Sequence, residues 1–322
     1  MSNIINKYNF RAKAKMKSPY IKILYPKISW VFVLALISFI FTLYIKDLTP
    51  KTFISVVKYK YYGYFKPEID ENQLITYLSK KDIDGVNFYG HRGGAPDWLY
   101  PENSLLAFQF GSLMGLRYLE IDIKLTKDRV ALVFHDDYME RLTGVAEFVK
   151  NLTLEQVKKI NYRDGQSILT INELLKYHKN LLIDLSGNSY LDAVYIIDYI
   201  LNEFSNEIQS SIILQLADPN LIDYVSKKNK FIKISYNEWG ERIKNFKKYK
   251  NYSKIFTLNP SFEINENLLK EIGRDKTIIA VVQGDNVNEI IRLKNIGVKN
   301  IMIDNSILIN RSFFNISAKN KH

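Results

Sequence analysis

Two histidines, an arginine beside a glycine pair, and two acids spaced two apart fall within the 47-residue stretch Gly90–Asp136. Histidine is scarce in this chain, with four in 322 residues, and two of the four end short apolar runs: VNFYGH closes on His91 and VALVFH on His135. An imidazole titrates near neutral pH and can give or take a proton, so the pair reads as acid/base chemistry. Between them YLEIDIKL carries Glu120 and Asp122. On a strand, residues i and i+2 point to one face, so both carboxylates aim into one space. A bound cation requires that arrangement; ion pairs with neighbouring lysines or arginines are the competing use of it. The chain has no cysteine, which excludes disulfides and thiolate ligation. Carboxylate donors alone favour a hard divalent cation, Mg²⁺ or Ca²⁺.

Read in order, His91-Arg92-Gly93, Pro101-Glu102-Asn103-Ser104, Glu120-x-Asp122, and His135-Asp136 followed by Arg141 and Thr143 resemble the glycerophosphodiester phosphodiesterase (GDPD) family. The looser similarity extends the resemblance to about residues 86–310. It implies hydrolysis of a phosphodiester, with one histidine taking the proton of the attacking hydroxyl and the other protonating the leaving alcohol. The attacking hydroxyl could be the neighbouring glycerol hydroxyl, giving a cyclic phosphate before water enters. Which histidine plays which part stays open. The resemblance also implies a third metal ligand on the fourth strand, where LLIDLS offers Asp184 in place of the family's usual glutamate. Arg92 then grips phosphate through its planar fork of donors, and Gly93 and Gly94 let backbone N–H groups approach the same anion. Asn103 braces the loop or a ligand carboxylate. His178 and His322 are expected to face solvent.

Three departures bear on the substrate. The fourth strand reads Asp184-Leu185-Ser186 where the family reads Glu-x-Lys, so a phosphate-neutralising lysine is missing there. The run Ile278–Asn286 lacks the family's tryptophan, and the loop Ala95–Tyr100 is long, with Trp98 and Tyr100 available to rebuild an aromatic wall. The expected substrate is a small-molecule or lipid-derived phosphodiester: a deacylated head group, a lysophospholipid or a glycerol-phosphate polymer. A barrel phospholipase acting on intact or lysolipids differs from this only in substrate. A catalytically silent barrel that binds phosphorylated lipid or glycan is the reading from another class.

The elements that must position these residues alternate. Nine strand candidates run Val86–Gly90, Tyr118–Leu125, Val130–His135, Leu181–Leu185, Ser211–Leu216, Phe231–Ser235, Lys254–Leu258, Thr277–Val282 and Asn300–Ile303, most of them separated by helix-like segments. Alternation of this kind predicts an α/β fold, a TIM-type (β/α)8 barrel, with the chemistry at the C-terminal ends of its first four strands. Nine exceeds eight; the short run before Asn259-Pro260 is the one expected to stay out of the barrel. A dinucleotide-type Gly-x-Gly-x-x-Gly turn after the first strand is missing.

Charge is segregated. Residues 1–66 hold twelve Lys/Arg and one acid, which accounts for the whole net charge of +11. The remainder is balanced and offers no pull on a polyanion, so nucleic acid is excluded as a partner. Within the basic segment, Ile28–Ile45 is 18 residues without a charge, flanked by Lys27 and Lys46, with Trp30 and Tyr44 near its ends. It is expected to be a single transmembrane anchor. Six basic residues lie in the 20 before it and four in the 20 after, which puts the N-terminus in the cytoplasm and the catalytic domain in the periplasm or outside the cell. The expected plan is thus a basic segment (1–27), an anchor (28–45), a membrane-proximal tether (46–85), the barrel (86–310) and a polar tail (311–322).

Overall fold

A computed structural model describes residues 78, 80–238, 253–259, 264–284 and 286–309, all within the second of the chain's two units, Pro67–His322. The anchor at Ile28–Ile45, its flanks, most of the tether, the polar tail and His322 lie outside the described residues. Among the described residues, no helix is long and apolar enough to cross a membrane.

Eight parallel strands close into a barrel: β1 (Asn87–Gly90), β2 (Tyr118–Leu125), β4 (Leu181–Asp184), β5 (Ile213–Leu216), β6 (Lys233–Glu238), β7 (Ile255–Leu258), β8 (Thr277–Val282) and β9 (Asn300–Ile303). Each pairs with its neighbour, and β1 closes the ring by pairing with both β2 and β9. The ninth strand, β3 (Ala131–Val133), runs antiparallel to the far end of β2, with Ile123 opposite Val133. The expectation about the odd strand is therefore corrected. The run before Asn259 is barrel strand β7, whereas the run ending at His135 is the one outside. The reason is local: Thr126, Asp128 and Val130 hydrogen-bond one another in a tight turn, with Arg129 at φ 62°, and the chain folds straight back onto β2. A parallel barrel strand needs a long crossover instead.

The strand pleat sorts the core. Tyr89, Tyr118, Leu182, Ile213, Ile279, Val281 and Met302 fill the barrel interior, with Tyr89 stacked on Tyr118 at 5.4 Å. Residues of the opposite parity, such as Ile121, Ile183, Leu214, Phe256 and Ile301, pack outward against the helices. Those helices begin where short polar side chains cap them. Examples are Ser104 before α2 (Leu105–Leu113), the Thr170–Glu173 capping box on α5 (Ile171–Leu175), and Asp218 before α8 (Pro219–Lys228). Among the described residues the remaining α-helices are α1 (Lys80–Ile83), α3 (Glu140–Thr143), α4 (Leu154–Val157), α6 (Tyr190–Glu203), α7 (Asn206–Ser211), α9 (Glu266–Ile272) and α10 (Val287–Asn295). Between β3 and β4 the chain makes a small annex with its own core of Leu132, Phe134, Met139, Val149, Val157, Tyr162 and Ile168. That annex carries His135 and Arg141. It docks on the barrel mouth through the Tyr162 hydroxyl, which donates to the Asn103 carbonyl at 3.3 Å.

Candidate active site

The acidic pair behaves as its spacing requires. Glu120 and Asp122 continue inward from Tyr118 on β2, and strand register places Asp122 directly beside Asp184 of β4. Like charges in register repel. Even so, one carboxylate oxygen from each of Glu120, Asp122 and Asp184 falls within 4.8 Å of the others. Burial and the Asp122 charge push Glu120 up to about 8. Asp184 is raised by the same two causes, partly offset by the Ser186 N–H at 2.7 Å and the Gln215 amide at 2.8 Å. Gln215 itself is buried on β5, and its Oε1 has no hydrogen-bond partner. Three clustered acids, beside an orphaned amide oxygen, form an all-oxygen donor set that fits a hard divalent cation.

Arg92 sits in the left-handed region at φ 49°, between the end of β1 and Gly93. That turn aims its backbone N–H at Glu120, 2.6 Å away. Its guanidinium donates through Nη1 to both Glu102 oxygens at 2.9 and 3.0 Å, and Nε lies 3.3 Å from Asp122. That buried Nε makes no hydrogen bond. Asn103, also at positive φ (59°), donates to Asp122 at 2.9 Å and accepts from the Asp122 N–H, so it braces the Asp122 carboxylate. The glycines allow close packing of this turn. Gly94 N–H is taken by the His91 carbonyl, and a Cβ on Gly93 would lie 2.9 Å from that of Ala107.

Each histidine is pinned at Nδ1 by a carboxylate. His91 meets Asp304, just past β9, at 2.6 Å. Burial opposes the imidazolium, but the Asp304 hydrogen bond and the Glu120 charge outweigh it and push His91 up to about 9. Asp304 is held low by His91 against the effect of its own burial, and its other oxygen accepts the Gly284 N–H. His135 meets Asp136 at 2.7 Å, and the second Asp136 oxygen accepts Arg141 Nε at 2.7 Å. Arg141 reaches on to Glu102 at 2.5 Å, so Glu102 is shared by two guanidiniums, which hold it far below the usual carboxylate range despite burial. Glu102, His135 and Asp136 also cluster, but these arginines already occupy the acids, and the cluster is an ion-pair network.

Sequence reading brought together the residues that meet here and missed four that hold them. Asp304 could have been found as an acid ending the ninth strand candidate; Glu102, Asp136 and Arg141 stood in the motifs without a role. Trp98 is exposed, whereas Tyr100 packs edge-on against Phe110, so the two make no common wall. His178 is not solvent-facing: it hydrogen-bonds Ser112, packs on Phe108, and burial lowers its pKa.

Comparison with known proteins agrees. The profile of the glycerophosphoryl diester phosphodiesterase family matches residues 91–308. The Bacillus subtilis (strain 168) protein YhdW is 29% identical over 234 residues, 66% of this chain and 92% of that one. The Caldanaerobacter subterraneus glycerophosphodiester phosphodiesterase is 39% identical over 71 residues, 22% of this chain, which spans 28% of that protein. Among solved structures, a Thermotoga maritima glycerophosphodiester phosphodiesterase superposes with TM-score 0.56 at 22% identity, covering 72% of this chain and 98% of that one. An Oleispira antarctica phosphodiesterase in complex with the product sn-glycerol-3-phosphate superposes with TM-score 0.58 at 16% identity, covering 68% and 92%. At these identities the structures speak for the fold alone.

Proposed function

The chain belongs to the glycerophosphoryl diester phosphodiesterase family, and from that premise we propose a membrane-anchored, divalent-cation-dependent enzyme that splits glycerophosphodiesters into a glycerol phosphate and an alcohol. The observation that carries the reading is the convergence of Glu120, Asp122 and Asp184 to within 4.8 Å beside the Arg92 guanidinium.

These three acids, with Gln215 beside them, would hold Mg²⁺ or Ca²⁺. The cation's chemistry is to offset the charge of the phosphate oxygens as it grows in the transition state. Arg92 presents its guanidinium to a phosphate oxygen, with Nη1 fixed by Glu102 and the buried Nε left without a hydrogen-bond partner. His135 faces a carboxylate with Nδ1, so Nδ1 keeps its proton and Nε2 offers a lone pair to the attacking hydroxyl. His91, held as imidazolium by Asp304, donates its Nε2 proton to the departing alkoxide. Base and acid are thus told apart by their carboxylate partners. The matching geometry of the two pairs argues against a silent barrel: Asp304 and Asp136 orient rings that a mere binding module has no need to orient.

The test is hydrolysis of glycerophosphodiesters and lysophospholipids by the full-length chain with chelator, Mg²⁺ or Ca²⁺, beside His91→Ala and His135→Ala. Cation-dependent release that either substitution abolishes is expected. Cation-dependent binding of phosphorylated ligands without turnover would return the silent barrel. Membrane fractionation tests the anchor at residues 28–45, with the catalytic unit accessible from the periplasm or cell exterior; recovery of the intact chain in the soluble fraction would remove that part of the proposal.

A further inference from the structure

The face of β2 that carries Glu120 and Asp122 continues to Lys124, one strand period further out, about 7 Å beyond Asp122 at the usual rise of a strand. Lys124 is the one cation on that face, and its environment differs from that of the two arginines. Arg92 and Arg141 are tied to Glu102, Asp122 and Asp136, acids at most 14% exposed. Lys124, itself only 13% exposed, pairs at 2.8 Å with Asp137, which is 64% exposed. Water can solvate Asp137 if the lysine leaves, so this ion pair costs little to exchange. The ammonium is also given room: a Cβ on Gly187, just past the end of β4, would lie 3.8 Å from Nζ. Lys124 therefore stands over the gap between β2 and β4, above the three clustered acids.

We propose that Lys124 is a specificity-determining residue that exchanges Asp137 for an anionic group on the substrate, outside the scissile phosphate. The inference rests on the cation-dependent diesterase reading. If the scissile phosphate is anchored at Glu120, Asp122 and Asp184, what reaches Lys124 is a substituent of the diester. The favoured class is then a glycerophosphodiester whose second alcohol carries its own phosphate, as in a glycerol-phosphate oligomer, over one ending in a neutral or cationic head group.

A matched pair tests this: glycerophosphoglycerol, and the same diester bearing a terminal phosphate. The full-length chain is expected to prefer the phosphorylated form in kcat/KM by up to about fivefold, the scale of one ion pair, and Lys124→Met to lose that preference. Asp137→Asn separates contact from scaffolding. A lysine released from Asp137 should sharpen the preference, whereas a lysine that merely braces the His135 loop would make both substitutions slow both substrates alike. Calorimetric titration of the two diesters into the His135→Ala protein with Ca²⁺ repeats the comparison without turnover. A binding preference there with no turnover by the unsubstituted chain would sink the hydrolase reading and leave this one standing. Equal affinities, or a loss in Lys124→Met that is the same for both diesters, would overturn the role of Lys124.

Discussion

At the scale of single residues, the two histidines differ by their partners rather than by their chemistry. Asp304 gives its charge to His91 and takes little from elsewhere, since its second oxygen meets only a backbone N–H. Asp136 divides its charge between His135 and Arg141. The undivided anion keeps its ring protonated, up to a pKa of about 9. An acid must hold its proton to act, so activity should fall as pH rises through the His91 pKa, which a cation at Glu120 would set below its cation-free value. Replacing Asp304 by Asn withdraws the hydrogen-bonded anion and lowers the His91 pKa. The basic limb of the kcat/KM profile is expected to move to lower pH. A profile whose basic limb stays in place after Asp304→Asn would show that His91 is not the proton donor.

At the scale of elements, the site depends on how closely α2 approaches the turn after β1. Gly111, in the middle of α2, faces that turn: a Cβ there would overlap the Gly93 carbonyl oxygen and lie 2.8 Å from Leu119 Cδ2. Helix propensity alone favours alanine over glycine by about 1 kcal/mol. Overpacking against backbone costs about 1–3 kcal/mol, so the clash decides the sign. Gly111→Ala should lower the denaturation midpoint and, by displacing the turn that aims Arg92, reduce kcat more than it raises KM; a stabilised protein would mean that α2 stands further off than this. Elements of this kind were legible to different degrees. The barrel strands were readable because apolar runs and helix-like segments alternate, and Glu120 and Asp122 because strand period fixes their common face. The turn at Thr126–Val130 was not, since short polar side chains that fold a strand back resemble those that lead into a crossover. Asp304 escaped for another reason: pinning a ring is a property of distance in space, and Asp304 lies 213 residues from His91 along the chain.

At the scale of the whole molecule, the clustered acids make the barrel's stability depend on what they bind. Glu120 belongs near 4.5 in the unfolded chain and is pushed up to about 8 in the folded one by burial and by Asp122. Between those values the folded state holds a proton that the unfolded chain has released, so the cation-free protein loses stability as pH climbs through that window and levels off above it. A divalent cation held by these acids would reverse the preference, because it would favour their ionised forms in the folded barrel and join β2 to β4 across their repulsion. At a hundredfold excess over its dissociation constant such a ligand adds about 2.7 kcal/mol. The rise in melting temperature on adding Mg²⁺ or Ca²⁺ should therefore grow from pH 5 to pH 8, as competition from the proton fades. Glu120→Gln should flatten the cation-free pH dependence over that range and shrink the response to cation. Melting curves in chelator and in each cation, across that range, measure both. A response to cation that is absent, or that does not change with pH, would mean that the three acids are not its ligands, and that the face of β2 answers to some other charge.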